Sequence, residues 1–405
     1  MNWGGQPANH TPMRILFLTS RLPYPPDRGD RLRTNQFLRL FARDHEVTLL
    51  SFIADKRERQ NAASLTPYCE DIHLLPLPAW KSGKNVVLNV WRDIPLQALY
   101  YRSRSMEKLV DDLLSSSSFD LVYVHLFRMA QYMDNHPEIY RILDLTDLIS
   151  YEIRTSIPYQ PAVWRLIYRF ELPRIAKYEK HIASNFNEVW FIASRERDLF
   201  IENGQRVNSL VVPHVIGENF TSLRQNLAGP IKLLFVGHLE VRHNIDAVTY
   251  MAEQIMPYIL QELPGVEFQI IGAGDTEKVI ALDRLPGVRV IGYVSDLKTV
   301  FRQNAIAVAP LRFSAGVQTK VVESMAAGLA VVTTSNVNDG LGAIPERHLL
   351  VADTNLDFAA QVLRLALDGS LRNRLAEAGR IYVKTHYSSQ EAKDRLNAIH
   401  EKIKG

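Results

Sequence analysis

Short apolar runs alternate with longer stretches of helical periodicity from Met13 onward, and midway along the chain the alternation begins again. RILFLTS (14–20) is apolar on both sides of the pleat, the pattern of a strand buried in a parallel sheet. VTLLSFI (47–53), IHLLPL (72–77), DLVYVHL (120–126), RILDLTD (141–147), EVWFIAS (188–194) and SLVVPHV (209–215) continue the series. A helix to about Arg43 follows the first strand, and a long helix is predicted across 161–184. Residues 216–229, IGENFTSLRQNLAG, break the rhythm and read as a linker. The second series runs IKLLFVGHL (231–239), VEFQIIGAG (266–274), VRVIGYV (288–294), AIAVAPL (305–311) and AVVTTS (330–335), with helices over 244–263 and 296–304. After HLLVADT (348–354) the chain is helical to its end.

This rhythm predicts an α/β fold with two doubly wound, Rossmann-like domains at 13–215 and 230–385. A C-terminal helix (386–405) would cross back to brace the first domain, and residues 1–12 would be a flexible extension. Two such domains facing across a cleft bring the C-terminal ends of both sheets together, and ligands of open α/β sheets bind at those ends.

Composition narrows the function. A chain of 405 residues holds two domains of roughly 200 residues. A net charge of +3 without basic runs interleaved with aromatics argues against nucleic acid as a partner. Cys69 is the one cysteine, so no disulfide forms within the chain and no thiolate cluster holds a metal. The N-terminus lacks the basic start and apolar core of a secretory signal, and no apolar run approaches bilayer thickness, so a cytoplasmic protein is expected. The helix over 161–184 mixes Trp, Tyr and Phe with Arg and Lys. That composition suits peripheral contact with the inner face of a membrane, and equally suits a core-packed helix with a solvated basic face.

Chemistry concentrates at the predicted strand ends. In PLRFSAGVQTKVVESMAAGLAVV (310–332) a loop with Gly316, Val317 and Gln318 leads into a helix opening near Thr319. Uncapped N–H groups and a positive dipole end suit phosphate there. Lys320 and Glu323, three apart, share a helix face: the cation suits diphosphate, and the carboxylate can accept from ribose hydroxyls. A plain surface ion pair explains them equally well. After strand 231–236, Gly237 marks a phosphate-type turn, with Arg242 and His243 beyond it. Gly274 ends the next strand, and Gly292 and Tyr293 the one after; their backbone or the tyrosine ring is placed to meet a nucleobase, or the ring merely packs. GAGD resembles the start of a dinucleotide fingerprint, but Glu277 replaces its last glycine and no acidic residue ends the following strand, which argues against NAD.

In the first half Arg28, Gly29, Asp30 and Arg33 lie between strand and helix, on the expected acceptor side. His125 ends a strand, either as a structural histidine or at the reacting centre. Asp144 and Asp147 follow, with N-capping of the next helix as their plain role. No metal site is predicted: DxD, zincin and Walker patterns are absent, as is the nucleophile elbow.

These motifs resemble the glycosyltransferase family 4 (group 1) enzymes of GT-B fold, closest to the bacterial subgroup associated with surface or exopolysaccharide clusters. FVGHLEVRHNIDAV, IIGAG, IGYVSDLKTVF and VAPLRFSAGVQTKVVESMAAGLAVVTT follow in the family's order, and TSRLPYPPDRGDRLR looks like the subgroup. The resemblance implies a retaining, metal-independent transferase. It would use a nucleotide-sugar as substrate rather than a cofactor, and pass the sugar to a glycan or lipid-linked acceptor. It gives Glu323 the ribose contact and places His125 near the reacting sugar. The family's first motif glutamate falls at Ala315, so the donor sugar would be met by backbone near Gly316–Gln318. The usual diphosphate Arg and Lys fall at His238 and His243, leaving Arg242 and Lys320 as replacements. A nucleotide-sugar epimerase of the same fold and a non-catalytic glycan- or partner-binding module are the alternatives.

Overall fold

The computed structural model describes residues 11–26, 29–202, 204, 207–214, 231–274, 276–304, 306–314, 316–388 and 390–404. The linker read at 216–229, Arg28 and Ala315 lie outside the described residues. The chain divides into two compact units. One takes the described residues to Ile192, Glu196–Val212 and the segment from Gln390; the other takes Ala193–Arg195 and the described part of Pro213–Ser389.

The first unit is built on a seven-stranded parallel sheet in the order β3-β2-β1-β4-β5-β6-β7. Its strands are β1 (Arg14–Thr19), β2 (Glu46–Ile53), β3 (Asp71–Pro76), β4 (Leu121–His125), β5 (Tyr140–Thr146), β6 (Glu188–Phe191) and β7 (Ser209–Val211). Unbroken apolar runs appear here because both faces are covered. Leu16, Leu18, Val122, Val124 and Leu143 enter one core; Ile15, Phe17, Leu121, Tyr123 and Ile142 enter the other. The C-terminal helix Gln390–Lys404 packs on the second face, where Ala392, Leu396 and Ile399 share one helical stripe. Lys404 pairs with Asp120 at 2.7 Å, and Arg395 grips the buried Glu188.

The second unit holds a six-stranded parallel sheet, β10-β9-β8-β11-β12-β13. These strands are β8 (Lys232–Val236), β9 (Glu267–Ile271), β10 (Val288–Gly292), β11 (Ile306–Ala309), β12 (Ala330–Thr333) and β13 (Leu350–Val351). The helix expected over 244–263 starts two residues earlier and is interrupted. It runs Arg242–Tyr250, widens into a π turn over Met251–Ile255, and resumes as Met256–Glu262. Pro257 has no N–H to donate, and the turn before it loosens accordingly.

Strand order reverses between β1 and β4 in one sheet and between β8 and β11 in the other. Open α/β sheets bind ligands outside such reversals. In the second unit the backbone closes tightly there: a Cβ on Gly272 would lie 1.7 Å from the Gly237 carbonyl oxygen. Gly272→Ala must push β8 and β9 turns apart and is expected to destabilise the protein by about 1–3 kcal/mol or more. Urea denaturation measures the loss, and an unchanged midpoint would show that the two turns move freely.

Candidate active site

Two helix starts flank the reversal in the second unit. Arg242–Tyr250 follows β8 and Thr319–Ala326 follows β11, and neither N-cap residue makes a side-chain capping bond. Both present the positive end of a helix dipole at the C-terminal side of the sheet. One lysine ties them together. Lys320 Nζ donates to Asn244 Oδ1 and, at 3.1 Å, to Gln318 Oε1; it lies 5.3 Å from the Phe235 ring centroid. Asn244 Nδ2 in turn donates to the His238 carbonyl at 2.9 Å.

Electrostatics at this reversal are unusual. Burial pushes the Lys320 ammonium down to about 7, against the opposing pull of Glu323. Burial likewise pushes the Glu323 carboxyl up to about 7, against Lys320. Among the described residues no close ion pair joins the two, although each carries the other's opposing pull. Both groups are half-buried, and the Glu323 carboxylate has no hydrogen-bond or ion-pair partner among the described residues. Burial, with Lys320 adding to it, pushes His243 down to about 3, so its imidazole is neutral. Arg242, one residue earlier, is exposed at the helix start.

The remaining donor-side candidates line the same sheet edge. Gly237 follows β8; Gly274, Gly292 and Gly316 adopt positive φ of 87, 75 and 59°. Val317 and Gln318 are buried against the loop, and Thr319 opens the helix half-buried. The Tyr293 ring does not pack in the interior: it is 73% exposed at the end of β10, free to stack on a flat ligand.

Residues 230–368 match the family Glycosyl transferases group 1, a stretch that contains every one of these groups. The second unit carries the group 1 glycosyltransferase domain, and the chain is a glycosyltransferase of GT-B fold. The fold extends over the whole chain. Staphylococcus aureus TarM superposes with a TM-score of 0.71 at 11% identity, covering 96% of this chain and 99% of TarM. Anabaena HepE, solved in complex with UDP, gives 0.66 at 14% identity, covering 96% of this chain and all (100%) of HepE. A Klebsiella pneumoniae protein described as an uncharacterized 44.6 kDa protein in the cps region is 23% identical over 393 residues, 93% of this chain and 97% of that protein.

In the first unit of this glycosyltransferase, His125 ends β4 with its ring buried, and Nε2 lies 3.2 Å from Thr146 Oγ1. Burial, against Asp144 and Asp30, pushes it down to about 4, so at neutral pH it is a neutral hydrogen-bonding group. The backbone beside it is unusual: Leu126 and Thr146 both hold positive φ, 71 and 64°. Arg33 is a correction to the acceptor side read from sequence. Its guanidinium is fully buried and forks onto Asp144 through Nε at 2.7 Å and Nη2 at 3.0 Å, with the Phe37 ring 4.6 Å away. Asp144 also accepts from the Tyr123 hydroxyl. This is structure, not ligand binding.

Asp147 does not cap the next helix either, because Ile149–Ser156 has Leu148 at its N-cap without a side-chain bond. Burial, then Glu152, pushes the Asp147 carboxyl up to about 7. Gly29 opens the helix Gly29–Phe41, and a Cβ there would meet nothing within 4 Å.

A cavity of about 640 Å³ lies at the β1/β4 reversal, walled by Phe52, Tyr100 and Tyr101 and entered by Arg21, Arg31 and Arg128. Arg21 pairs with Asp30 at 3.0 Å, and Arg128 reaches the same carboxylate at 3.9 Å. Burial would raise the Asp30 carboxyl, but the two arginines hold it below its ordinary value. Spacing along the chain did not reveal Arg21, Arg128 or Tyr101, since only the β1–β4 pairing brings residues about 100 apart together. Asn244 closes the GHLEVRHN segment singled out from sequence, though without a role there; the structure makes it the link between Lys320 and the His238 carbonyl.

Proposed function

We propose that the protein transfers a sugar from a nucleotide-sugar to a hydroxyl acceptor with retention of configuration and without a metal. The second unit holds the donor, and the observation that carries this is Glu323: a half-buried carboxylate without a partner among the described residues, one helical turn from Lys320 and two uncapped helix starts. The carboxylate accepts from the ribose hydroxyls. Lys320, the helix ends and Arg242 oppose the charge that grows on the leaving diphosphate, already in place as it develops. Among the described residues no carboxylate stands out as a covalent nucleophile, so in this reading the leaving phosphate assists attack on the same face of the sugar. UDP bound to HepE supports a nucleotide donor.

The acceptor side is the first unit, where Asp30 pairs with Arg21 and Arg128 of the arginine-lined cavity, Gly29 precedes it at the helix start, and neutral His125 ends β4. The acceptor in this reading is a glycan, free or lipid-linked, in surface-polysaccharide synthesis at the cytoplasmic face of the membrane; similarity to a protein of a cps region supports the polysaccharide setting alone. Among the described residues no helix is long and apolar enough to cross a bilayer.

A thermal-shift screen of UDP-, GDP-, ADP- and dTDP-sugars in excess chelator tests the reading. One base series should raise the melting temperature, by the equivalent of about 2.7 kcal/mol at a hundredfold excess over Kd. Transfer to acceptor should persist in the chelator. No shift with any nucleotide-sugar would overturn the donor assignment, and an absolute need for magnesium or manganese would overturn the cationic clamp.

A further inference from the structure

Two neighbouring segments of the first unit turn apolar side chains outward. On the helix Ala79–Asn89 and the turn after it, Trp80 is 68% exposed and Trp91 71%, with Val87 and Leu88 exposed between them. Positions 80 and 87, two turns apart, fall on one helical face, and Trp91 lies in the turn just after the helix. The first half of the helix Ala162–Ala183 repeats this with Val163, Leu166 and Phe170, a stripe at i, i+3 and i+7 in which Leu166 is 72% exposed. The two segments are tied together. Arg174 Nη1 donates to the Val90 carbonyl at 2.8 Å, and its guanidinium sits 3.9 Å from the Phe170 ring centroid. Glu171 Oε2 accepts from the Leu96 N–H at 2.7 Å.

The charge on this patch is one-sided. Lys81, Lys84, Arg92, Arg165 and Arg169 are exposed in the same segments. The exposed acidic residue among them, Asp93, is bound to Lys177. Tryptophans and aliphatic side chains at the surface with lysines and arginines around them match the boundary of an anionic bilayer, where rings sit at headgroup depth and cations meet lipid phosphate. A second copy of the chain fits poorly, because a two-fold pairing of this face would set the same five cations against themselves. Val86, on the same helix, and Leu96, bonded to Glu171, both line the cavity at the β1/β4 reversal.

We infer that the patch formed by 79–92 and 163–170 rests the first unit on an anionic lipid surface, with Trp80, Trp91 and Leu166 entering the headgroup boundary. This extends the lipid-linked acceptor reading above, because the cavity then opens beside the leaflet that would carry the acceptor. Its test needs neither donor nor turnover.

The full chain is floated with vesicles of phosphatidylcholine alone and with vesicles containing about 30% phosphatidylglycerol. It should rise with the anionic vesicles, at least about tenfold more strongly than with the neutral ones, and less so as salt is raised. Trp80→Ala with Trp91→Ala, and separately Leu166→Ala, should reduce partitioning several-fold or more while the melting temperature and the nucleotide-sugar shift stay unchanged. These side chains are exposed, so a folding defect is not expected. No flotation with anionic vesicles, or undiminished flotation of the variants, overturns the inference. So does a concentration-dependent dimer that the same substitutions dissolve without any vesicle binding; it would give the face to self-association. A protein that floats but shows no nucleotide-sugar shift keeps the membrane face and loses the donor site instead.

Discussion

Arg33→Ala is expected to lower stability by about 3–5 kcal/mol, the range for stranding one member of a buried ion pair. Arg33 and Asp144 are both fully buried and joined by two hydrogen bonds, so the variant leaves a carboxylate in the core with only Tyr123 and nearby polar groups to solvate it. The pH dependence should change sign as well. In the native protein Arg33 and His125 hold the Asp144 carboxyl below its ordinary value against burial. That contribution is present above the unfolded carboxylate value and is lost as pH falls through the lower folded one. Without Arg33, burial dominates and the folded value lies above the unfolded one. The variant should then gain stability as pH falls from 8 toward about 5. Urea midpoints at the two ends of that window measure both effects. A loss below about 1 kcal/mol with native-like pH dependence would return Arg33 to the acceptor side. Arg33→Met combined with Asp144→Leu should recover much of the loss, since removing both charges leaves nothing stranded.

Arg33 also shows where sequence reading stops. The strands were legible because both faces of each sheet are buried, so apolar runs such as RILFLTS and AVVTT stand out without alternation. The proposed donor-side groups were legible as candidates because most of them sit in two short segments, 237–244 and 316–323, each joining one strand end to one helix start. The acceptor side was not. Arg33 and Asp144 are 111 positions apart, and nothing local says that an arginine in the first turns of a helix will fork onto a carboxylate two strands away. Arg128 meets Ser20 and Asp30 only because β4 inserts beside β1. The outward stripe on 79–91 was hidden for another reason: its helical spacing is that of a core-facing helix, and only burial distinguishes the two.

The donor reading makes its sharpest demand on pH. Lys320 and Glu323 both titrate near 7 because burial opposes charge on each. A nucleotide-sugar carries a diphosphate esterified at both ends, so its own charge stays constant across this window. Above about 7 Lys320 loses its proton and its attraction for the diphosphate; below about 7 Glu323 gains one and can no longer accept two ribose hydroxyls. Donor affinity should therefore peak near neutrality and fall on both sides. Glu323→Ala should weaken binding by about 1.5–3 kcal/mol, roughly ten- to 150-fold, and abolish the acid limb. Lys320→Ala should abolish the alkaline limb. It should also lower turnover by more than it lowers affinity, because the charge it opposes is largest in the transition state. Calorimetry with the stabilising nucleotide-sugar from pH 6 to 9 reads both limbs, and initial rates at saturating donor read the turnover. Affinity that is flat across this range, or two variants that each retain both limbs, would mean that the donor does not contact this pair. Lys320 would then be left as the strut between Asn244 and Gln318 that the structure already shows.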